Sequence, residues 1–237
     1  MLIPIIILFF YILRFKRESI KIVSSMLIIL SVFTFIFYPL SGIIEFPGIL
    51  DYSTQIILRI FFFLFGFLSM VIVPIYIFKL VTKEEVFSFF KTYGVRRENI
   101  GKSILLFLGF SLIILASDAI ILSGGRPIVN SADYPISGIV EFFRTFNEEF
   151  LFRGVLFIVL SSCCDKRIAA IASVSTFALA HPQYYVDFIE ILVGPIAVGC
   201  ITVAICWLSK NIIGAWLFHG LWNFNSLVII PILIGFY

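Results

Sequence analysis

The chain is a succession of long apolar runs separated by short clusters of charge. An apolar helix needs roughly 20 residues to cross the hydrocarbon core of a bilayer. Runs of that order predict crossings at 22–44, 56–78, 103–122, 136–160, 167–182, 186–208 and 211–234. The run 2–13 is shorter, opens without a basic stretch and is followed by Arg14, Lys16, Arg17 and Lys21. It reads as a short first span, a signal-like anchor or a half-buried arm. The expected fold is all-α: a polytopic integral membrane helical bundle of about eight transmembrane helices.

Composition makes the same point more strongly. Of 237 residues, 61% are hydrophobic and 13% charged, with 29 Phe and a mean hydropathy of +1.13; a soluble domain has about 45–50% apolar and about 25% charged residues. A water-soluble fold is excluded, because one small core cannot hide that much apolar surface. The net charge of +3 matters less than where the charges fall. If 2–13 crosses, thirteen of the 17 Lys and Arg share one face: Arg14, Lys16, Arg17, Lys21, Lys79, Lys83, Lys91, Arg96, Arg97, Lys102, Lys166, Arg167 and Lys210. Arg59 and Arg126 fall near the other face, and Arg144 and Arg153 lie within a span. The positive-inside rule then puts the basic loops in the cytoplasm and both termini outside. No nucleic-acid partner follows from this distribution. Cys163, Cys164, Cys200 and Cys206 lack C-x-x-C spacing, so neither a disulfide framework nor a cysteine metal site is expected. The segment 84–93 reads either as an interfacial helix or as a solvated connector.

Charge inside a span costs several kcal/mol unless it is paired or meets water. Residues 141–153 nevertheless carry Glu141, Arg144, Glu148, Glu149 and Arg153, five charges in 13 residues. Helical spacing puts Glu141, Arg144 and Glu148 on one stripe and makes Glu149 and Arg153 a separate i, i+4 pair about 100° further round. Glu149 therefore reads as half of a structural ion pair, while Glu148 is harder to dismiss. Both histidines, His181 and His219, also fall within spans. At about 1.5 Å rise per residue, Glu148 and His219 come out at nearly the same depth, and His181 roughly 9 Å from the outer face. A single buried His is usually a satisfied hydrogen-bonding residue. Two His, a Glu pair and an Asn on three neighbouring spans make a shared polar cavity reasonable.

A carboxylate and an imidazole around a water can run general acid and base chemistry. His219 and Asn223, four apart, face the same way and can donate to an oxyanion. The chain has no H-E-x-x-H, no G-x-S-x-G and no Gly-Asp pair, so the usual zinc, serine and aspartate routes to intramembrane proteolysis lack their motifs. Glu148, Glu149, His181 and His219 are also chemically competent zinc ligands, and spacing alone does not choose between a zinc site and metal-free catalysis.

Three motifs carry a resemblance. Glu148-Glu149-x-x-x-Arg153, Phe177-x-x-x-His181 and His219-x-x-x-Asn223 resemble, in order, the E-E-x-x-x-R, F-x-x-x-H and H-x-x-x-N motifs of the CPBP family (CAAX protease and bacteriocin-processing, also called Abi), which includes the type II CAAX prenyl endopeptidases. The resemblance covers roughly 136–226. It divides one structural unit into 1–135, N-terminal transmembrane helices without family motifs, and 136–237, a CPBP-like catalytic core. It implies an intramembrane glutamic-type endopeptidase without a cofactor, or a zinc-dependent version of it. By motif position Glu148 and His181 would activate water and His219 and Asn223 would stabilise the transition state. Glu149 and Arg153 would hold the site or contact substrate, and Phe177 would pack beside it or serve as ordinary core. The implied partners are the lipid membrane and a peptide or protein substrate, with oligomeric state open. Bacterial members are linked to bacteriocin maturation or immunity, and a prokaryotic cell membrane is the expected location. Two other classes compete: a non-catalytic peptide-binding immunity, scaffold or sensor protein, which would keep working with Gln at 148, and a proton-coupled transporter, for which no inverted repeat is visible.

Overall fold

The computed structural model describes residues 29, 52–82, 90–123, 135–162, 164–181 and 188–233, and among these every regular element is helical. Helix α1 runs as Tyr52–Phe67, Leu68–Ile72 and Val73–Thr82, and α2 is Ile100–Ser123. Helix α3 runs as Pro135–Glu149, Phe150–Val159 and Leu160–Ser162, and α4 is Lys166–Leu179. Helix α5 runs as Phe188–Ile191, Leu192–Ile196 and Ala197–Ser209, and α6 as Ile213–Phe224, Asn225–Ile229 and Ile230–Leu233. Leu68–Ile72, Phe150–Val159, Leu192–Ile196 and Asn225–Ile229 are π-helical.

The expected runs 56–78, 103–122, 136–160, 167–182, 186–208 and 211–234 correspond to these six helices. The runs 2–13 and 22–44 lie outside the described residues, except for Ile29, which is buried in the core. By length and composition two helices are apolar enough to cross a membrane, Ile56–Leu80 and Leu192–Ser209. The expected count of about eight crossings is therefore not reached among the described residues. Helix α3 fails the test on its five charges, and α4, with 14 residues, is about 21 Å long against a core of about 30 Å.

Helix α3 is the centre of the bundle: α1, α4 and α6 pack on it, and α2 and α5 pack on α6. Sequence explains the centre. Between Phe150 and Val159 the chain is apolar on every side apart from Arg153, and all of these residues but Ile158 are buried; a helix apolar all round has to sit inside the bundle. Helix α1 is the reverse case. Its exposed large residues include Ile57, Phe61, Leu64, Leu68, Ile72, Tyr76 and Leu80, three or four positions apart, with Ile60 beside them. That spacing draws one apolar stripe down the outer face, while Ser69 is buried and donates to Phe65 O at 2.9 Å.

The 84–93 segment can be judged at its C-terminal end only. Tyr93 is buried and packs its ring against Phe78 and Phe150, so a solvated connector does not hold there; residues 84–89 lie outside the described residues. Gly94 follows with φ +83°, a conformation that favours glycine, and its carbonyl accepts from Ile212 N at 2.9 Å. Asn211 completes the junction, donating to Arg96 O at 2.6 Å and accepting from Ile213 N at 2.9 Å. Helix α6 is thus pinned at its start against the α1–α2 connection. Immediately beyond, Gly214 lets α6 touch α2: its N–H donates to Ser103 Oγ at 2.8 Å, and a Cβ there would collide with the Ser103 carbonyl oxygen.

Gly214→Ala is expected to destabilise the protein by about 1–3 kcal/mol through overpacking against backbone, read as a lower unfolding midpoint in detergent. Gly101→Ala, where a Cβ meets nothing within 4 Å, is the control and should leave the midpoint unchanged or slightly raised.

Candidate active site

The site is built on α3. Pro135 opens the helix, where its missing N–H is not needed. Two turns later the stripe expected from spacing is present: Arg144 Nε donates to Glu141 Oε2 at 2.6 Å, and Arg144 Nη2 lies 3.7 Å from Glu148 Oε1. One residue on, the helix has turned, and Glu149 points elsewhere. Its Oε2 lies 3.2 Å from Arg153 Nε, and both side chains are fully buried. The Arg153 nitrogens make no aligned hydrogen bond among the described residues; the guanidinium is held by the Glu149 charge and by the face of Phe177, whose ring centroid is 4.1 Å away.

Helix α4 brings in the first imidazole. Asp165 caps it, accepting from Arg167 N at 2.7 Å, and the helix ends at Leu179, short of Pro182, as a residue preceding proline avoids helical geometry. Helix α4 is fixed against α3 by Ser173 Oγ, which donates to Phe152 O at 2.7 Å. His181 lies just past the helix end, with its ring against Phe177 at 4.4 Å. Its Nδ1 is 2.7 Å from Phe177 O. A carbonyl only accepts, so Nδ1 carries a proton, and Nε2 is the nitrogen left to face the site. That Nε2 is 3.6 Å from Glu148 Oε2.

Helix α6 brings in the second imidazole. Trp216 Nε1 donates to Phe142 O at 3.1 Å and sets the rotation of α6 against α3. One turn on, His219 places Nδ1 2.8 Å from Glu149 Oε1 and Nε2 3.9 Å from Glu148 Oε2. A carboxylate only accepts, so His219 donates from Nδ1 to Glu149. Asn223 lies one further turn along, half-buried, and makes no hydrogen bond to any described residue.

The structure therefore gathers Glu148, His181 and His219 at one point and hangs Glu149, Arg153 and Phe177 behind them. His181 is not set apart in depth: side chains from the end of α4 and the middle of α3 close the difference that backbone rise alone suggests. Glu149 is not only half of an ion pair with Arg153, because it also orients His219. Phe177 is both core and site wall, lying between Arg153, His181 and His219. Missed by spacing are two links to α1: Arg59 Nη1 meets Glu141 Oε1 at 3.4 Å, and Asn147 Nδ2 donates to Phe63 O at 3.1 Å. No group of three His, Cys, Asp or Glu able to hold a metal ion occurs among the described residues. Cys164, Cys200 and Cys206 are free thiols.

Residues 132–225 match the family model described as Rce1-like, type II CAAX prenyl endopeptidase. The matched segment contains Glu148, His181 and His219 together with Glu149, Arg153 and Phe177, whereas Arg59 lies outside it. No curated protein and no solved structure matches the chain.

Removing one partner of a buried ion pair leaves an uncompensated charge and costs about 3–5 kcal/mol. Glu149→Gln should show that loss as a lowered unfolding midpoint. Glu149→Gln combined with Arg153→Met should recover most of it, since the orphaned guanidinium is gone; a single variant as stable as wild type would contradict the pairing.

Proposed function

We propose that the chain is an intramembrane endopeptidase of the glutamic type, hydrolysing a peptide bond at or near the bilayer. The observation that supports this best is the setting of Glu148 Oε2. It is buried, has no hydrogen-bond partner among the described residues, and faces two imidazole nitrogens at 3.6 and 3.9 Å. These separations are too long for direct bonds, and they suit a water that donates one O–H to Glu148 Oε2 and the other to His181 Nε2.

The chemistry follows from those directions. As the water oxygen attacks the substrate carbonyl carbon, its proton passes to Glu148 and the carbonyl π pair moves to oxygen. The oxyanion accepts from Asn223 Nδ2 and from His219 Nε2. His219 donates from Nδ1 to Glu149, and an Nε2–H at the oxyanion is the donor this step requires of it. Collapse of the tetrahedral intermediate breaks the C–N bond, and Glu148 returns its proton to the leaving nitrogen. Arg144 occupies Oε1 of Glu148 and so leaves Oε2 for the water.

The reading extends to surroundings. The exposed apolar stripe of α1 and the apolar helices Ile56–Leu80 and Leu192–Ser209 support integration in a membrane. The basic connections are assigned to the cytoplasmic side on charge. The reaction is taken as metal-free, because the Arg144 guanidinium 3.7 Å from Glu148 would repel a dication at the same carboxylate.

Glu148→Gln and His181→Ala should each yield an inserted, folded protein without cleavage, and Asn223→Ala should lose roughly 100- to 1,000-fold in kcat with a smaller change in KM. Cleavage of a peptide library or a membrane proteome by purified protein, analysed by mass spectrometry, measures this; turnover by Glu148→Gln would remove the assignment. Prolonged treatment with a strong chelator should leave the wild-type rate unchanged, and loss restored by zinc would point to the metal-dependent form instead.

A further inference from the structure

The charged residues of α3 continue beyond α3. Arg59, on α1 and outside the matched segment, lies 3.4 Å from Oε1 of Glu141. The other oxygen of Glu141, Oε2, accepts from Arg144 Nε at 2.6 Å. Arg144 Nη2 lies 3.7 Å from Oε1 of Glu148, whose Oε2 faces His181 and His219. The signs alternate along the row: cation, anion, cation, anion. Each carboxylate divides its two oxygens between two neighbours. Glu141 and Glu148 are buried and the two arginines half-buried, so these charges are screened far less than a surface row would be.

We propose that Arg59 is a positioning residue for Glu148, acting through Glu141 and Arg144. The physical basis is competition for one guanidinium. Glu141 already holds the short contact to Arg144, and Glu148 the longer one. Arg59 neutralises part of the Glu141 charge and so limits how far Glu141 draws Arg144 away from Glu148. Without Arg59 the Arg144 guanidinium is drawn more strongly to Glu141, which already holds the shorter contact. Glu148 Oε1 then loses its clamp, and the carboxylate is free to rotate its oxygens with respect to the two imidazoles. A misplacement of about 1 Å at a reacting group is enough to cost on the order of 100-fold in rate. A helix without any motif of the matched segment would thereby determine the geometry of the site. The proposal rests on the peptidase reading of Glu148.

The row predicts a rescue that a purely structural tie between α1 and α3 does not. Arg59→Met should lower kcat roughly 10- to 100-fold with KM little changed, and Arg59→Lys, which keeps the charge, should recover part of it. Arg59→Met combined with Glu141→Gln should recover most of the lost kcat, because removing Glu141 returns Arg144 to Glu148. If Arg59 only fastens the two helices, the double variant is as slow as the single one or slower. A wild-type kcat in Arg59→Met, or a double variant without recovery, overturns the proposal. Failure of the peptidase reading shows separately, as turnover in Glu148→Gln. The coupling also has a readout without turnover. In a thermal unfolding cycle of Arg59→Met with Glu148→Gln, the double variant should lose less than the sum of the singles, and strict additivity would contradict the relay.

Discussion

An ionised group removed from water has to meet an opposite charge or a set of aligned dipoles within a few ångströms, and in this protein that requirement decides how three helices sit against one another. Arg153 is fully buried and is matched by Glu149 and the face of Phe177. Glu149 is then shared: one oxygen faces Arg153, the other takes the Nδ1 proton of His219. Because both contacts are buried, neither α4 nor α6 can rotate much without stranding a charge. The rotation of α6 that satisfies Glu149 also fixes the face on which Asn223, four residues after His219, is carried.

The adjacency of Glu148 and Glu149 is the second consequence. Consecutive residues on a helix point about 100° apart, so two neighbouring carboxylates need not share an environment. Glu149 is tied on both oxygens to groups that hold it in place. Glu148 is tied on one oxygen by Arg144, and the other looks into the space between two imidazoles. One acid is held on both oxygens, the other on one. The ring orientations follow the same logic, since both histidines have the Nδ1 side occupied by an acceptor and turn Nε2 toward Glu148.

What was legible in the sequence was whatever repeats along one helix. The stripe Glu141, Arg144, Glu148 and the pair Glu149, Arg153 follow from spacing of three and four, and the helix limits follow from apolar runs. Contacts between helices carry no such signal. The link from Glu149 to His219, the reach of His181 to Glu148 and the role of Phe177 as a wall between Arg153 and two imidazoles depend on helix rotation, which only packing sets. Arg59 was visible as a charge near one face, and nothing in its neighbourhood along the chain indicates Glu141, 82 residues away. The number of crossings was legible only in part: the runs 2–13 and 22–44 lie outside the described residues apart from Ile29, and among the described helices two are long and apolar enough to cross.

The π-helical stretches show where backbone regularity gives way. Leu68–Ile72 precedes Pro74, Leu192–Ile196 contains Pro195, and Asn225–Ile229 precedes Pro231. In each case a proline has no N–H for the carbonyl one turn back, and the hydrogen-bond register changes beside it. The stretch Phe150–Val159 has no such cause, since the sequence holds no proline between Pro135 and Pro182. It begins at the residue after Glu149, and its poorer hydrogen bonding is offset by burial on all sides and by the Glu149–Arg153 pair at its start. A change from i−4 to i−5 pairing rotates everything beyond it relative to Glu148. The half of α3 that carries the two glutamates can then face α1 and α6, while the half that carries Arg153 turns its side chains to α4. A uniform α-helix would carry one register through both halves, and the two helices that bring the imidazoles contact different halves of this one.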